Sequence, residues 1–210
     1  MLVEQLASAF FSKLTFRIKT GEKKIYLTFD DGPSPETTPW VLDELKKSEA
    51  SATFFCVGAQ VEKHPEIFNE IVEQGHAVGN HTMHHLNGWK SSVSDYLVDV
   101  KQCEDVLLRE SRIKNQESSL FRPPYGKLTP AQYSVLKKNY NLVMWDVLTR
   151  DFDSGISPDK CLHRVITKSK RGSIVVFHDS VKAEKKLWYV LPRVLEYFSE
   201  RNFSFDSLPN

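Results

Sequence analysis

Several whole classes of protein are excluded by what this sequence has little of. Its three cysteines, Cys56, Cys103 and Cys161, are odd in number, far apart and form no CxxC pair. A disulfide scaffold is therefore out, and reduced core thiols fit a cytoplasmic protein. No apolar run approaches the roughly 18 residues of a membrane span. An excess of one charge is missing as well: 28 Lys+Arg against 27 Asp+Glu leaves +1, so no overall field draws in nucleic acid or an anionic membrane. Neither GxGxxG nor GxxxxGK(S/T) follows the first strand-like run, which weighs against a nucleotide site. The opening twenty residues place Glu4, Lys13 and Arg17 among apolar positions, a poor match to a secretion signal.

What remains is an ordinary globular composition, 40% hydrophobic and 26% charged over 210 residues. A chain of this length can bury about 70% of its unfolded surface without a disulfide or structural metal. No repeat, linker or composition shift divides it, so residues 23–210 are expected to form one domain, with 1–22 an N-terminal extension packed on it. Short Val/Ile/Phe-rich runs at 24–29, 52–57, 76–79, 120–122, 142–147, 174–177 and 203–205 are apolar at both parities, as buried parallel strands are. Helical stretches alternate with them. Ser34-Pro35 and Ser157-Pro158 read as N-caps followed by a first-turn proline, and Thr129 with Gln132 as a capping box. Tyr96, Val100, Cys103 and Leu107 form one helical stripe, with Asp95, Asp99 and Lys101 off it. Gly172 ends the helix before the sixth run. The alternation predicts an α/β fold, a distorted (β/α) barrel of about seven parallel strands, with a flat doubly wound sheet as the competitor.

Reactive residues fall just beyond the C-terminal ends of these runs: Asp30 and Asp31, His81 and His85, Arg122, and His178. In a parallel barrel those ends form one rim, the face on which barrel active sites are built. Adjacent carboxylates at a strand end point to opposite faces, so one can bind a cation while the other does different work; Asp-Asp-Gly-Pro is also good turn chemistry. HTMHH offers His81 with His85, or His81 with His84, to a metal. Two imidazoles and a carboxylate with open positions make the ligand set of a catalytic zinc rather than a structural one. FRPPYG is a stiff loop, and a histidine such as His178 is a fair proton donor or acceptor near neutrality.

Taken together, TFDDGP, HTMHH, RPPYG, WDVLTRDF and IVVFHD resemble, in order and rough spacing, the five motifs of the polysaccharide deacetylases. This is the group with the NodB homology domain, carbohydrate esterase family 4, and the similarity runs from about Lys23 to Asp206. The resemblance implies a distorted barrel and metal-dependent removal of N-acetyl, sometimes O-acetyl, groups from an acetylated carbohydrate, with metal-bound water as nucleophile. It implies Asp30 as general base, Asp31, His81 and His85 as ligands of a divalent cation, and Arg122 as the group that orients Asp30. Zinc is the first candidate for that cation, with cobalt, manganese and nickel as alternatives. The N–H of Tyr125, in the loop stiffened by Pro124, would hold the oxyanion. His178 would be the general acid, and Val176 would line the acetyl pocket.

The fourth motif departs from the family pattern, which carries an acidic residue near Leu148 and an Asp-Trp pair where this chain has Asp151-Phe152. Asp151 can still charge-tune His178, with Asp146 a second candidate, while Phe152 replaces the aromatic groove wall. Trp89 is the best placed tryptophan for stacking on a sugar ring. The basic stretch 182–186 reads as a solvated loop or helix start. Asn80-His81-Thr82 matches a glycosylation sequon, read as fortuitous because a glycan would block the site. Two rivals stand beside the deacetylase reading: a hydrolase of the same fold acting on a small non-glycan amide, and a carbohydrate-binding module without turnover.

Overall fold

The computed structural model describes residues 13–111 and 119–209. In chain order the strands are β1 (Leu14–Thr15), β2 (Lys24–Asp30), β3 (Thr53–Cys56), β4 (Ala77–Asn80), β5 (Leu120–Phe121), β6 (Asn141–Val143), β7 (Val147–Leu148), β8 (Ile174–His178) and β9 (Ser204–Phe205). The helices are α1 (Thr38–Lys47), α2 (Gly58–Lys63), α3 (Pro65–Glu73), α4 (Val93–Glu110), α5 (Pro130–Leu136), α6 (Pro158–Lys168) and α7 (Glu184–Ser199). Eight strands run in the order β1-β6-β5-β4-β3-β2-β8-β7, with β9 on the far end of β2, and every strand pair is parallel.

The sheet is curled like a half-barrel. β6 and β7 lie near its opposite edges, yet only Met144, Trp145 and Asp146 separate them in the chain. Four peptide units reach at most about 14 Å, so the two edges must come close. The single expected run at 142–147 thus breaks into two strands on either side of the opening. β1 is a further edge strand, pairing Leu14 with Leu142. Of the expected extension over 1–22, residues 1–12 lie outside the described residues.

Strand parity decides what the interior holds. On β2, Ile25, Leu27 and Phe29 pack outward into the main core with the helices, while Tyr26 faces the smaller cluster inside the curl. Thr28 and Asp30 share the parity of Tyr26, so they too face inward. On β8, Val175 and Phe177 join the outer core and Ile174 the inner one, which leaves Val176 and His178 on the inner face. Phe29 anchors the outer core, stacked at 5.0 Å on Phe54 and 5.8 Å on Phe177. Tyr26, Phe55, Leu120, Ile174 and Leu208 fill the lower interior. The open space is therefore confined to the C-terminal rim.

Local expectations fare unevenly. Ser157 accepts a hydrogen bond from Lys160 N–H, and the Thr129/Gln132 capping box is complete. Ser34-Pro35 is not the start of α1, which begins at Thr38 with Pro39 in its first turn. Ser34 instead sits in the preceding turn, its N–H bonded to Thr38 Oγ1 at 2.8 Å. Asp99 is buried beside the α4 stripe, because it has a partner on the neighbouring loop. All three cysteines are buried free thiols. Asn80 is buried and its amide donates to the Val100 carbonyl, so the sequon is structural. Among the described residues no helix is long and apolar enough to cross a membrane.

Gly172 adopts φ +78°, and a Cβ there would overlap the Ile18 carbonyl oxygen. This turn docks the segment before β2, since Ile18 N–H donates to Gly172 O at 2.9 Å. Gly172→Ala is expected to destabilise the fold by about 1–3 kcal/mol, measured by urea denaturation, with an unchanged midpoint contradicting the packing described.

Candidate active site

Register places the first two functional groups side by side. Asp30 at the end of β2 is paired in register with His178 at the end of β8, both facing inward. Beyond β5, Arg122 N–H donates to the Asn80 carbonyl, which sets Arg122 next to His81. The Arg122 side chain is fully buried and crosses the interior under the rim. Its Nη1 donates to Asp30 Oδ1 and Thr28 Oγ1, each at 2.7 Å, and its Nη2 donates to Met144 O at 3.0 Å. The guanidinium lies 4.1 Å from the Phe55 ring centroid. One oxygen of Asp30 is thus held, and the other is left to accept a proton.

Asp31, His81 and His85 converge, their ligand atoms all within 4.8 Å of one another. Asp31 Oδ1 lies 3.2 Å from His85 Nε2 and 3.8 Å from His81 Nε2. Two donors each about 2.1 Å from a shared zinc ion can be at most about 4.2 Å apart, so both spacings suit a common ion. His81 Nδ1 is 2.7 Å from the Arg122 carbonyl oxygen. A carbonyl only accepts, so Nδ1 carries the proton and the bare Nε2 faces Asp31, the outer-shell arrangement of metal-ligating histidines. Burial lowers the His81 pKa to about 4, keeping the ring neutral as a ligand requires. Burial opposes charge on Asp31 too, but the His85 hydrogen bond and the fields of His178, His81 and His85 outweigh it, so its carboxyl lies well below the usual range. Both Asp31 (φ 84°) and His85 (φ 55°) reach this cluster from left-handed backbone conformations. His84 points elsewhere, its Nδ1 2.7 Å from Asp99 Oδ1, so of the two candidates in HTMHH it is His85 that stands beside His81 and Asp31.

His178 forms the opposite wall. Asp151, fully buried behind it, accepts from the His178 backbone N–H at 2.8 Å and lies 2.7 Å from its Nδ1. Burial works against the imidazolium, yet the charge and hydrogen bond of Asp151 raise the His178 pKa to about 9. With Nδ1 engaged, Nε2 is the edge left to move a proton. Asp146 plays no part here, since its carboxylate accepts from Ile174 N–H and Ser173 Oγ near the start of β8.

Asp30, Asp31, His81, His85 and His178 line one cleft of about 460 Å³, together with Tyr125, Val176, Phe152, Leu148 and Trp145. Leu148 and Val176 are in-register neighbours, and together they make an apolar end suited to a methyl group. Phe152 packs edge-on at 4.8 Å from His178. Tyr125 turns in a left-handed conformation (φ 60°), its ring 4.6 Å from His85. Two expected substrate residues lie differently. Pro124 is buried beneath the loop, and its neighbour Pro123 lines the cleft instead. Trp89 is 65% exposed outside the cleft, its indole N–H bonded to the Leu128 carbonyl.

Asp179 carries no motif signal beyond its place beside His178, yet it is fully enclosed. Its carboxylate accepts from Gly32 N–H at 3.0 Å and from Thr38 Oγ1. A Cβ on residue 32 would overlap this carboxylate, which explains the glycine after Asp31. Asp179 therefore braces the turn that carries Asp31 against the start of α1. The 182–186 stretch is not simply solvated: Lys186 donates to the Asp151 and Asp153 carbonyls, and Lys182 lines the cleft.

The family signature of polysaccharide deacetylases matches residues 17–143. A peptidoglycan-N-acetylglucosamine deacetylase of Bacillus cereus is 32% identical over 195 residues, covering 91% of this chain and 89% of its own length. A chitooligosaccharide deacetylase of Sinorhizobium fredii is 33% identical, covering 92% and 94% respectively. Among solved structures, a peptidoglycan N-acetylglucosamine deacetylase superposes with a TM-score of 0.87 at 31% identity, over 94% of this chain and 91% of that one.

The His178–Asp151 pair has a direct readout. In chelator-treated protein the His178 imidazole is expected to titrate at about 9 by NMR, and Asp151→Asn to lower that value, because burial is then opposed only by the fields of Asp31 and Asp30. The folded pKa lies above the unfolded value, so this pair's contribution to stability is complete below pH 6.5 and is lost as pH rises through about 9. A titration that Asp151→Asn leaves in place would contradict the pairing.

Proposed function

Because the chain belongs to the polysaccharide deacetylase family, we propose that it is a metal-dependent hydrolase that removes N-acetyl groups from an amino-sugar-containing glycan. The observation that carries the reading is the convergence, in one cleft, of a three-residue cation site with a carboxylate on one side and a proton-bearing imidazole on the other. A binding module needs no such acid and base. Relatives that act on peptidoglycan and chitooligosaccharides support an N-acetylated sugar as substrate.

An amide is a poor electrophile and water a poor nucleophile near neutrality. A divalent cation held by Asp31, His81 and His85, with zinc the first candidate for this donor set, supplies Lewis acidity toward both when bound. The chain's own groups do the rest. Asp30, held through one oxygen by Arg122, takes the proton of the attacking water on its other oxygen. The N–H of Tyr125, aimed by its left-handed backbone, hydrogen-bonds the carbonyl oxygen as negative charge builds on it. His178, kept protonated by Asp151, passes its Nε2 proton to the departing amine nitrogen. Val176 and Leu148 receive the acetyl methyl, and Phe152 walls the sugar side. An acid and a base of different pKa thus face each other, separated by the partners each has behind it.

Acetate release from N-acetylglucosamine oligomers, abolished by chelator and restored by zinc, is the expected outcome of a direct assay. Asp31→Ala and His85→Ala should each lose bound metal, measured by mass spectrometry of dialysed protein. Asp30→Asn should keep the metal and lose turnover by about 10² or more. Full metal retention in Asp31→Ala, or near-normal rates in Asp30→Asn, would overturn the assignment.

A further inference from the structure

Two cations at the cleft mouth have no task in the chemistry above. Lys127 and Lys182 both line the cleft, and among the described residues neither ammonium group has a carboxylate partner. Each instead lies over aromatic rings. Lys127 Nζ is 5.0 Å from the Trp89 ring centroid and 6.0 Å from that of Tyr125, whose ring packs against His85. Lys182 Nζ is 5.9 Å from the Phe152 ring centroid, and Phe152 packs against His178. Each lysine thus stands one aromatic ring away from a site histidine, one on the His85 wall and one on the His178 wall.

The chain as a whole carries only +1, so this pair of charges is a local feature of the mouth. Inside the cleft, Asp30 and Asp31 are matched by Arg122 and by the cation their neighbours would hold. The mouth therefore presents positive charge to whatever enters. A glycan bearing only hydroxyl and acetamido groups offers an ammonium group little that water does not. A carboxylate offers a charge-assisted hydrogen bond and attraction from a distance, strengthened in a cleft with apolar walls.

Building on the deacetylase reading, we propose that the substrate is an anionic glycan, in which the sugars flanking the acetylated one carry carboxylates that Lys127 and Lys182 engage. The acetamido group then enters between Tyr125 and Phe152 while its neighbours are held at the two walls.

The test compares two oligosaccharides of equal length with the metal-loaded protein: a neutral chitooligosaccharide, and one in which alternate sugars bear a carboxylate. Wild-type kcat/KM should favour the anionic oligomer about fivefold or more, the worth of one or two partly screened ion pairs. The preference should shrink with added salt and collapse toward one in the double variant Lys127→Gln/Lys182→Gln. Equal kcat/KM for both oligomers, or a preference unchanged in the double variant, overturns the proposal while leaving deacetylation standing. Binding of the same oligomers, followed by calorimetry, separates the two ideas. Lysine-dependent preference for the anionic oligomer without acetate release from either would support charge selection and refute the deacetylase reading.

Discussion

A single buried guanidinium organises the rim. Arg122 has no exposed surface, so its charge is tolerable only because every direction it faces is answered: Asp30 and Thr28 through Nη1, Met144 O through Nη2, Val143 O near Nε, and the Phe55 ring beneath. Its own carbonyl receives His81 Nδ1–H. One residue therefore fixes the carboxylate proposed as base, sets the tautomer of a candidate metal ligand, and ties down the chain where it crosses between β6 and β7. Removing one partner of such a buried pair typically costs about 3–5 kcal/mol. The cluster is for that reason as much a part of the fold as of the site.

Around this centre the chain accepts backbone conformations that side chains usually avoid. Asp31, Thr82, His85, Tyr125 and Arg150 all have φ between 55° and 84°, and all lie in loops following the C-terminal ends of strands. Such conformations persist where surrounding contacts over-determine them. At Asp31 the contacts are visible: Gly32 N–H is held by the enclosed Asp179 carboxylate, itself bonded to Thr38 at the start of α1. At His85 the Thr82 hydroxyl accepts from the Leu86 N–H at 3.0 Å, closing the loop beneath the ring. Rigid elements thus reach the reactive atoms through short, fully bonded turns.

Much of this was legible in the sequence, and the reasons for the gaps are physical. Buried parallel strands announce themselves as short apolar runs, and the polar residue ending each run marks the rim, which is why Asp30, His81, Arg122 and His178 could be named from the chain alone. β1 lies in a segment with charged residues among the apolar ones, and β7 shares with β6 the single expected run 142–147. They exist because neighbouring edges offer them unpaired backbone groups. The choice between His84 and His85 depended on Asp99, a residue fifteen positions away whose burial on α4 no local pattern betrays. Asp179 closes the motif IVVFHD, but its role depends on Gly32 and Thr38, far away in sequence. Lys182 sat in a run that composition alone marks as solvated, and only the packing of Phe152 against His178 draws it to the cleft.

The proposed chemistry requires one ion shared by Asp31, His81 and His85 between a base and an acid. X-ray absorption at the zinc edge, together with anomalous diffraction from zinc-loaded crystals, examines this most directly. The expected result is a single peak bonded to His81 Nε2, His85 Nε2 and an Asp31 oxygen at about 2.0–2.2 Å, with at least one further position open to solvent. A peak at His84 and Asp99, or zinc bound without Asp31, would contradict it.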